Sequence, residues 1–278
     1  MEFLQAIILG LIEGFTEFLP ISSTGHLIIA EKLFGISNTS SFFTTFIQVG
    51  AIFAAAFFFR ARFRAIYKDS LMFIKDGMKI KTASKNQLLG MWIIISIIPT
   101  LVIAFIFRKQ VEEWQNSAML VAITTILFGV LFYYFERLHK KKISIHKDIN
   151  NVTLKNLIVM GFFQAVAIIP GVSRSGITIS GGMLQNIKIK DSIEVSFIMG
   201  VPVIIIASLY KLVSSISGLT PSIIISTILG TATAFIVGLY SIRLTLGILQ
   251  RKGFYPFMIY RIFLGLAVLL LIFTRVIQ

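Results

Sequence analysis

The sequence predicts an all-α polytopic membrane protein built from two inverted repeats, each a re-entrant helical hairpin plus three transmembrane helices. Three observations carry that prediction. The chain is 56% apolar and 14% charged, with a mean hydropathy of +0.89, whereas a soluble domain has about 25% charged residues. Two apolar regions, Phe3–Gly35 and Leu154–Ile187, are each interrupted by proline and small polar residues, at Pro20-Ile-Ser-Ser-Thr-Gly25 and Pro170-Gly-Val-Ser-Arg-Ser-Gly176. These regions also match each other at a fixed offset. Gly10 falls on Gly161, Glu13 on Gln164, Ser22 on Ser173, Thr24 on Ser175, Gly25 on Gly176, and Phe46-Ile47 on Phe197-Ile198.

Residues 1–278 therefore read as one membrane domain: repeat one over about 1–135, a basic connector over about 136–153, and repeat two over about 154–278. Full spans are expected at Phe42–Phe59, Leu88–Phe107, Ser117–Phe135, Ile193–Tyr210, Pro221–Ser241 and Pro256–Thr274. At 1.5 Å per residue each reaches across a hydrocarbon core of about 30 Å, some with little to spare. The pieces beyond each interruption are too short to cross alone. Irregular backbone at that depth survives only buried in protein or lining a cavity, which favours re-entrant hairpins.

Charge sets the orientation. Eight Lys and Arg fall in 60–87 and six in 136–155, with Arg243, Arg251 and Lys252 in a third cluster, while 108–117 and 211–221 hold three between them. Crowded segments belong in the cytoplasm. The first hairpin then dips in from the outer face and the second from the cytoplasm. Three spans per unit is an odd number, so the repeats are inverted and the two tips meet near the midplane, a usual place for a binding site. The net charge of +14 is assigned to these loops, and no nucleic-acid partner is expected. The absence of cysteine excludes disulfides and thiolate metal sites. The acidic Glu2, with no basic stretch before the apolar run, argues against a cleavable signal peptide.

The first tip is rich in reactive groups. Ionisable side chains at membrane depth are costly and usually functional. Glu13 and Glu17 are four residues apart, which on a helix stacks both carboxylates on one face, about 6 Å apart, before Pro20 ends the helix. Such a pair suits Mg²⁺ or Ca²⁺, which take oxygen ligands and share them with a diphosphate. His26 has the chemistry of a base, acid or nucleophile in phosphoryl transfer. Ser23 reads as nucleophile or phosphate-binding donor, with Ser22 and Thr24 as further hydroxyls. The second tip supplies the cation: the planar Arg174 fork matches phosphate oxygens. Ser173, Ser175 and the N–H groups around Gly176, at a helix start, complete an anion cradle.

Blander readings stand beside these. Arg174 as a mere counter-ion to Glu13 or Glu17, and His26 as a hydrogen-bonded core histidine, are the alternatives at the tips. His139 and His146 read as solvated in the basic connector, and Glu194 as structurally paired, with Lys190 for example. Thr16, Gln48 and Gln164 read as supporting groups or inter-helix hydrogen bonds, and Gly10–Gly14 as a close-packing motif.

The stretches Glu13-Gly-Phe-Thr-Glu17-Phe-Leu-Pro-Ile-Ser-Ser-Thr-Gly-His26 and Pro170-Gly-Val-Ser-Arg-Ser-Gly-Ile-Thr-Ile-Ser-Gly-Gly-Met183 resemble the two signature motifs of the undecaprenyl-diphosphatase family, the bacitracin-resistance membrane proteins of bacteria. The resemblance covers the full chain, including Pro256-Phe-Met-Ile-Tyr-Arg261. It implies hydrolysis of undecaprenyl diphosphate to the monophosphate on the outer side of the plasma membrane, recycling the lipid carrier for peptidoglycan synthesis. It also implies a divalent metal and a homodimer. The family's acidic motif falls on Glu13 and Glu17, its serine on Ser23, its histidine on His26 and its diphosphate-binding arginine on Arg174. The rival class is a secondary transporter or flippase for a phosphorylated substrate, since inverted repeats with broken helices serve carriers equally well. A lipid phosphatase of the phosphatidic-acid type needs a histidine downstream of Ser173-Arg174, and no histidine follows His146.

Overall fold

The structure, a computed structural model, describes residues 3–36, 41–80, 82–115, 117–141, 146–215 and 220–277. Glu2, Lys81 and the connector residues 116, 142–145 and 216–219, which entered the charge and signal-peptide readings, lie outside them. The described chain is helical throughout, its only bridge of β type joining Lys147 to Ile187.

The first region folds as α1 (Phe3–Thr16) and α2 (Ser23–Leu33), the second as α8 (Leu154–Ala165), a short 3₁₀ turn at Val166–Ile168 and α9 (Arg174–Leu184). Fourteen residues make only about 21 Å of helix, so none of these four crosses the bilayer alone. α1 stops at Thr16 rather than at Pro20. Glu17 lies one residue beyond it, yet its N–H still donates to Glu13 O at 2.9 Å, so one helical turn links the two carboxylates.

Long apolar helices stand at every expected span: α3 (Ser41–Phe58), α5 (Lys85–Ile106), α7 (Ala118–Lys140), α10 (Ile189–Ser215), α11 (Pro221–Lys252) and α12 (Tyr255–Phe273). Five qualify outright as membrane-crossing; α3 joins α4 (Arg60–Lys75) through a bend of 77°. Phe53, Phe105, Leu127, Ile228 and Phe263 are exposed on the outer surface, a cost in water but not in lipid. The chain is thus a polytopic membrane protein.

Two expectations about connectors need correction. Much of 60–87 is helix, because Phe63, Ile66 and Phe73 recur at helical spacing and give α4 an apolar face against α5. Likewise α11 runs eleven residues past Ser241 to Lys252. The helix carries Gly247 within it and stops only at Gly253, whose φ of 66° ends it in the left-handed region glycine tolerates. The short α6 (Arg108–Gln115) links α5 to α7.

Close packing brings the hairpins into the bundle. α1 lies along α11, with Gly10 and Gly14 placing bare backbone against Gly230 and Ala234. α8 lies along α5 in the same manner, Gly161 against Ser96. Small residues at such seams let helices approach closely. The main core collects where the tips meet, around Phe18, Phe132, Ile177, Met183, Phe197 and Phe254.

The basic connector is better ordered than a solvated loop. His139 is buried, its Nδ1 donates to Met183 O at 2.9 Å, and its ring stacks on His146 at 3.8 Å. The expectation of solvated histidines fails because the last turn of α7 lies against the end of α9. Glu194 pairs with Arg62 of α4 at 3.2 Å rather than with Lys190, since the bend at Phe59 swings α4 over the start of α10.

Candidate active site

Each tip begins with a serine in left-handed conformation. Ser22 has φ 71° and Ser173 φ 77°; each caps the helix that follows, accepting from Gly25 N at 3.2 Å and from Gly176 N at 3.3 Å. A side-chain oxygen at this position satisfies an N–H that the first helical turn leaves without a partner. The cap of α2 throws Ser23 forward, and the cap of α9 does the same for Arg174.

The two then converge on one carboxylate. Arg174 Nη2 donates to Glu17 Oε1 at 2.7 Å, and Ser23 Oγ donates to Glu17 Oε2 at 2.5 Å. Glu17 and Ser23 are buried, and the Arg174 side chain is 14% exposed. Arg174 Nη1 reaches Ser196 O of α10 at 3.5 Å, and its guanidinium occupies the space that the missing side chain of Gly200 leaves open. Ser175 Oγ donates to Leu19 O at 3.4 Å and lies 3.3 Å from Ser173 Oγ, while Gly176 packs on Pro20 and Phe132. Thr24 is half-buried in the first turn of α2.

Glu13 is fully buried; neither of its oxygens accepts from an N–H or hydroxyl donor, and its polar neighbour is the Glu17 carboxyl. A bare carboxylate in a dry site is expensive unless a cation or proton joins it. Glu13 with Glu17 and the nearby hydroxyls fits a hard cation with oxygen ligands; among the described residues no cluster of three or more His, Cys, Asp or Glu is assembled for a metal. The remaining ligands to such an ion are therefore substrate oxygens, hydroxyls or water.

His26 lies in the first turn of α2. Its Nδ1 lies 2.7 Å from Ser22 O and its Nε2 2.6 Å from the Tyr260 hydroxyl, so both nitrogens are engaged away from Ser23 Oγ. Sequence reasoning placed Arg261 in the closing stretch of the resemblance but gave it no role. That side chain is fully buried and donates to Thr125 O at 2.9 Å, Pro20 O at 3.0 Å, Thr124 O at 3.4 Å and Gly171 O at 2.7 Å. One guanidinium thus ties both tips to α7, with Phe132 beneath it at 5.1 Å. The available signal was an arginine inside an apolar run. Of the polar groups assigned to support, Gln164 Nε2 bonds across helices to Thr100 Oγ1 at 3.2 Å, and Thr16 Oγ1 bonds within α1 to Ile12 O at 2.7 Å.

Fold and site together define a polytopic membrane protein with a buried acid–hydroxyl–arginine cluster at the junction of two broken hairpins. Residues 6–267 match the family described as bacitracin resistance protein BacA, and the chain belongs to that family. Similar proteins named undecaprenyl-diphosphatase come from Bdellovibrio bacteriovorus, 37% identical over 99% of this chain and 97% of the relative, and from Methanococcus aeolicus, 36% identical over 99% and 100%. Another, from Staphylococcus carnosus, is 36% identical over 98% of this chain and 96% of its own.

Proposed function

We propose that this chain is a phosphatase that hydrolyses undecaprenyl diphosphate to undecaprenyl phosphate and inorganic phosphate. The relatives' shared name supplies the substrate; the joint contact of Arg174 and Ser23 with Glu17 is the observation that carries the chemistry. A cation fork, a hydroxyl nucleophile and a carboxylate that accepts that hydroxyl's proton are what phosphoryl transfer requires.

In this reading Arg174, with Ser173, Ser175 and Gly176 behind it and Ser22 and Thr24 across the tip, binds the diphosphate. Substrate oxygens replace part of the Arg174–Glu17 contact. Ser23 Oγ attacks the terminal phosphorus and passes its proton to Glu17. The bridging P–O bond breaks, undecaprenyl phosphate leaves, and water releases phosphate from Ser23. His26 keeps the tip in shape. Glu13 and Glu17 would hold a divalent cation, Mg²⁺ or Ca²⁺, which would supply positive charge to the diphosphate oxygens.

The inverted-repeat organisation, with units over about 1–135 and 154–278, belongs to the same proposal. It is supported by the paired left-handed serines and by the parallel seams of α1 on α11 and α8 on α5. The loop charges support a site open to the outer side of the bacterial plasma membrane, and a homodimer is the proposed assembly.

The test is phosphate release from a polyprenyl diphosphate by purified protein in detergent. Wild type releases phosphate, and Arg174→Ala and Glu17→Ala fall by about 100- to 1,000-fold, the range for removing one charge-stabilising group. A folded wild type that binds the lipid but releases nothing overturns the phosphatase reading in favour of a carrier. A membrane-impermeant chelator that fails to inhibit intact cells overturns the outward orientation.

A further inference from the structure

We infer that Tyr260 is a positioning residue for this reaction, acting from α12 through His26 on the turn that presents Ser23. The inference rests on the phosphatase reading above. The Ser22 carbonyl can only accept, so the His26 Nδ1 facing it at 2.7 Å carries the proton. In the neutral ring Nε2 then accepts, and the Tyr260 hydroxyl at 2.6 Å is the donor. The two rings lie nearly parallel, at an interplanar angle of 6°, which fixes the imidazole plane as well as its tautomer.

What this chain of contacts holds is the Pro20–Ser23 turn. Ser22 sits at φ 71°, a conformation that costs free energy and persists only where the surroundings over-determine it. Its carbonyl is held by His26, and His26 by Tyr260. The next residue of α12, Arg261, holds the Pro20 carbonyl at 3.0 Å. Two consecutive side chains of one helix therefore grip the turn at both ends, and Ser23, leaving it, reaches Glu17 at 2.5 Å. Arg261 serves the second tip as well, whereas Tyr260 reaches the first tip through the imidazole. The hydroxyl of Tyr260 touches none of Ser23, Glu17 or Arg174 in this arrangement, so its influence passes through His26.

Tyr260→Phe removes the donor and little else. In the full-length protein in detergent, phosphate release and ¹⁵N NMR of the imidazoles, with His139 and His146 replaced to leave one signal, give two readouts. We expect kcat for a polyprenyl diphosphate to fall about tenfold, the loss matching one hydrogen bond, with KM changed less than about twofold, as when binding is untouched. The His26 Nε2 signal should move toward that of an imine nitrogen without a hydrogen bond, while Nδ1, held by the Ser22 carbonyl, keeps its proton. His26→Asn, whose amide can still donate to the Ser22 carbonyl, should keep more activity than His26→Ala. An unchanged kcat, an unchanged Nε2 signal, or equal loss in the two His26 variants overturns the inference. Absence of phosphate release by wild type defeats the phosphatase reading instead, while the Nε2 signal still reports whether Tyr260 bonds His26.

Discussion

Ser22 and Ser173 occupy the same strained backbone conformation, with φ of 71° and 77°, and each caps its helix through the glycine three residues on. A non-glycine residue in that region costs about 1–3 kcal/mol, offset in part by an N-cap of about 1 kcal/mol. Ser173→Ala keeps the strain and loses the cap. We expect a drop of about 1 kcal/mol in stability by thermal unfolding in detergent, with a larger proportional loss of phosphate release because Arg174 is the next residue.

Gly200 offers a cleaner separation of fold from function. A methyl group there overlaps the Arg174 guanidinium, which is the movable end of a flexible side chain, so the helix survives and the arginine shifts. Gly200→Ala should unfold at the wild-type temperature yet lose about 100-fold in kcat/KM, as misplacement by an ångström can cost. Wild-type activity would show that Arg174 needs no fixed position.

Arg261→Met keeps volume and removes every donor. The Pro20 and Gly171 carbonyls lose their donor, while those of Thr124 and Thr125 keep their helical bonds inside α7. Unsatisfied buried acceptors cost about 1–3 kcal/mol each, so we expect at least about 2 kcal/mol of destabilisation by denaturant unfolding. Near-wild-type stability would mean that water replaces the guanidinium.

Glu13 is the prediction for the metal. Both of its oxygens are buried beside the Glu17 carboxyl with no N–H or hydroxyl donor, and an unpaired buried charge is destabilising until something neutralises it. With chelator present, Glu13→Gln should therefore be at least as stable as wild type. In calorimetric titration with Mg²⁺ or Ca²⁺ it should bind about tenfold or more weakly, since a ligand carboxylate is gone. Unaltered affinity would remove Glu13 from the cation site.

Much of this was legible in the residues. Pro20 and Pro170 with their serines and glycines mark the breaks, and the match of Ser22 to Ser173 anticipates that both tips start a helix alike. The pairing of Arg174 with Glu17 was foreseen as a blander alternative to phosphate binding, and under the proposed mechanism the two readings become one contact before and after substrate arrives. What stayed hidden depends on partners far away in the chain. The carbonyls that Arg261 holds belong to three other segments, and a carbonyl has no sequence identity to read. Tyr260 was illegible for the same reason: its partner is 234 residues away. α4 was not foreseen as a helix because Arg60, Arg64 and Lys68 drew the reading to charge, although Phe63, Ile66 and Phe73 carried the helical period.

Because ribosomes build chains from the amino end, both hairpins of this protein are made well before Arg261. Until α12 enters the bilayer, no guanidinium joins the Pro20 and Gly171 carbonyls, and the nascent chain carries its reactive groups in pieces. Assembly of the phosphatase thus waits for α12, and a product cut off before Tyr255 would insert into the membrane without being able to turn over lipid.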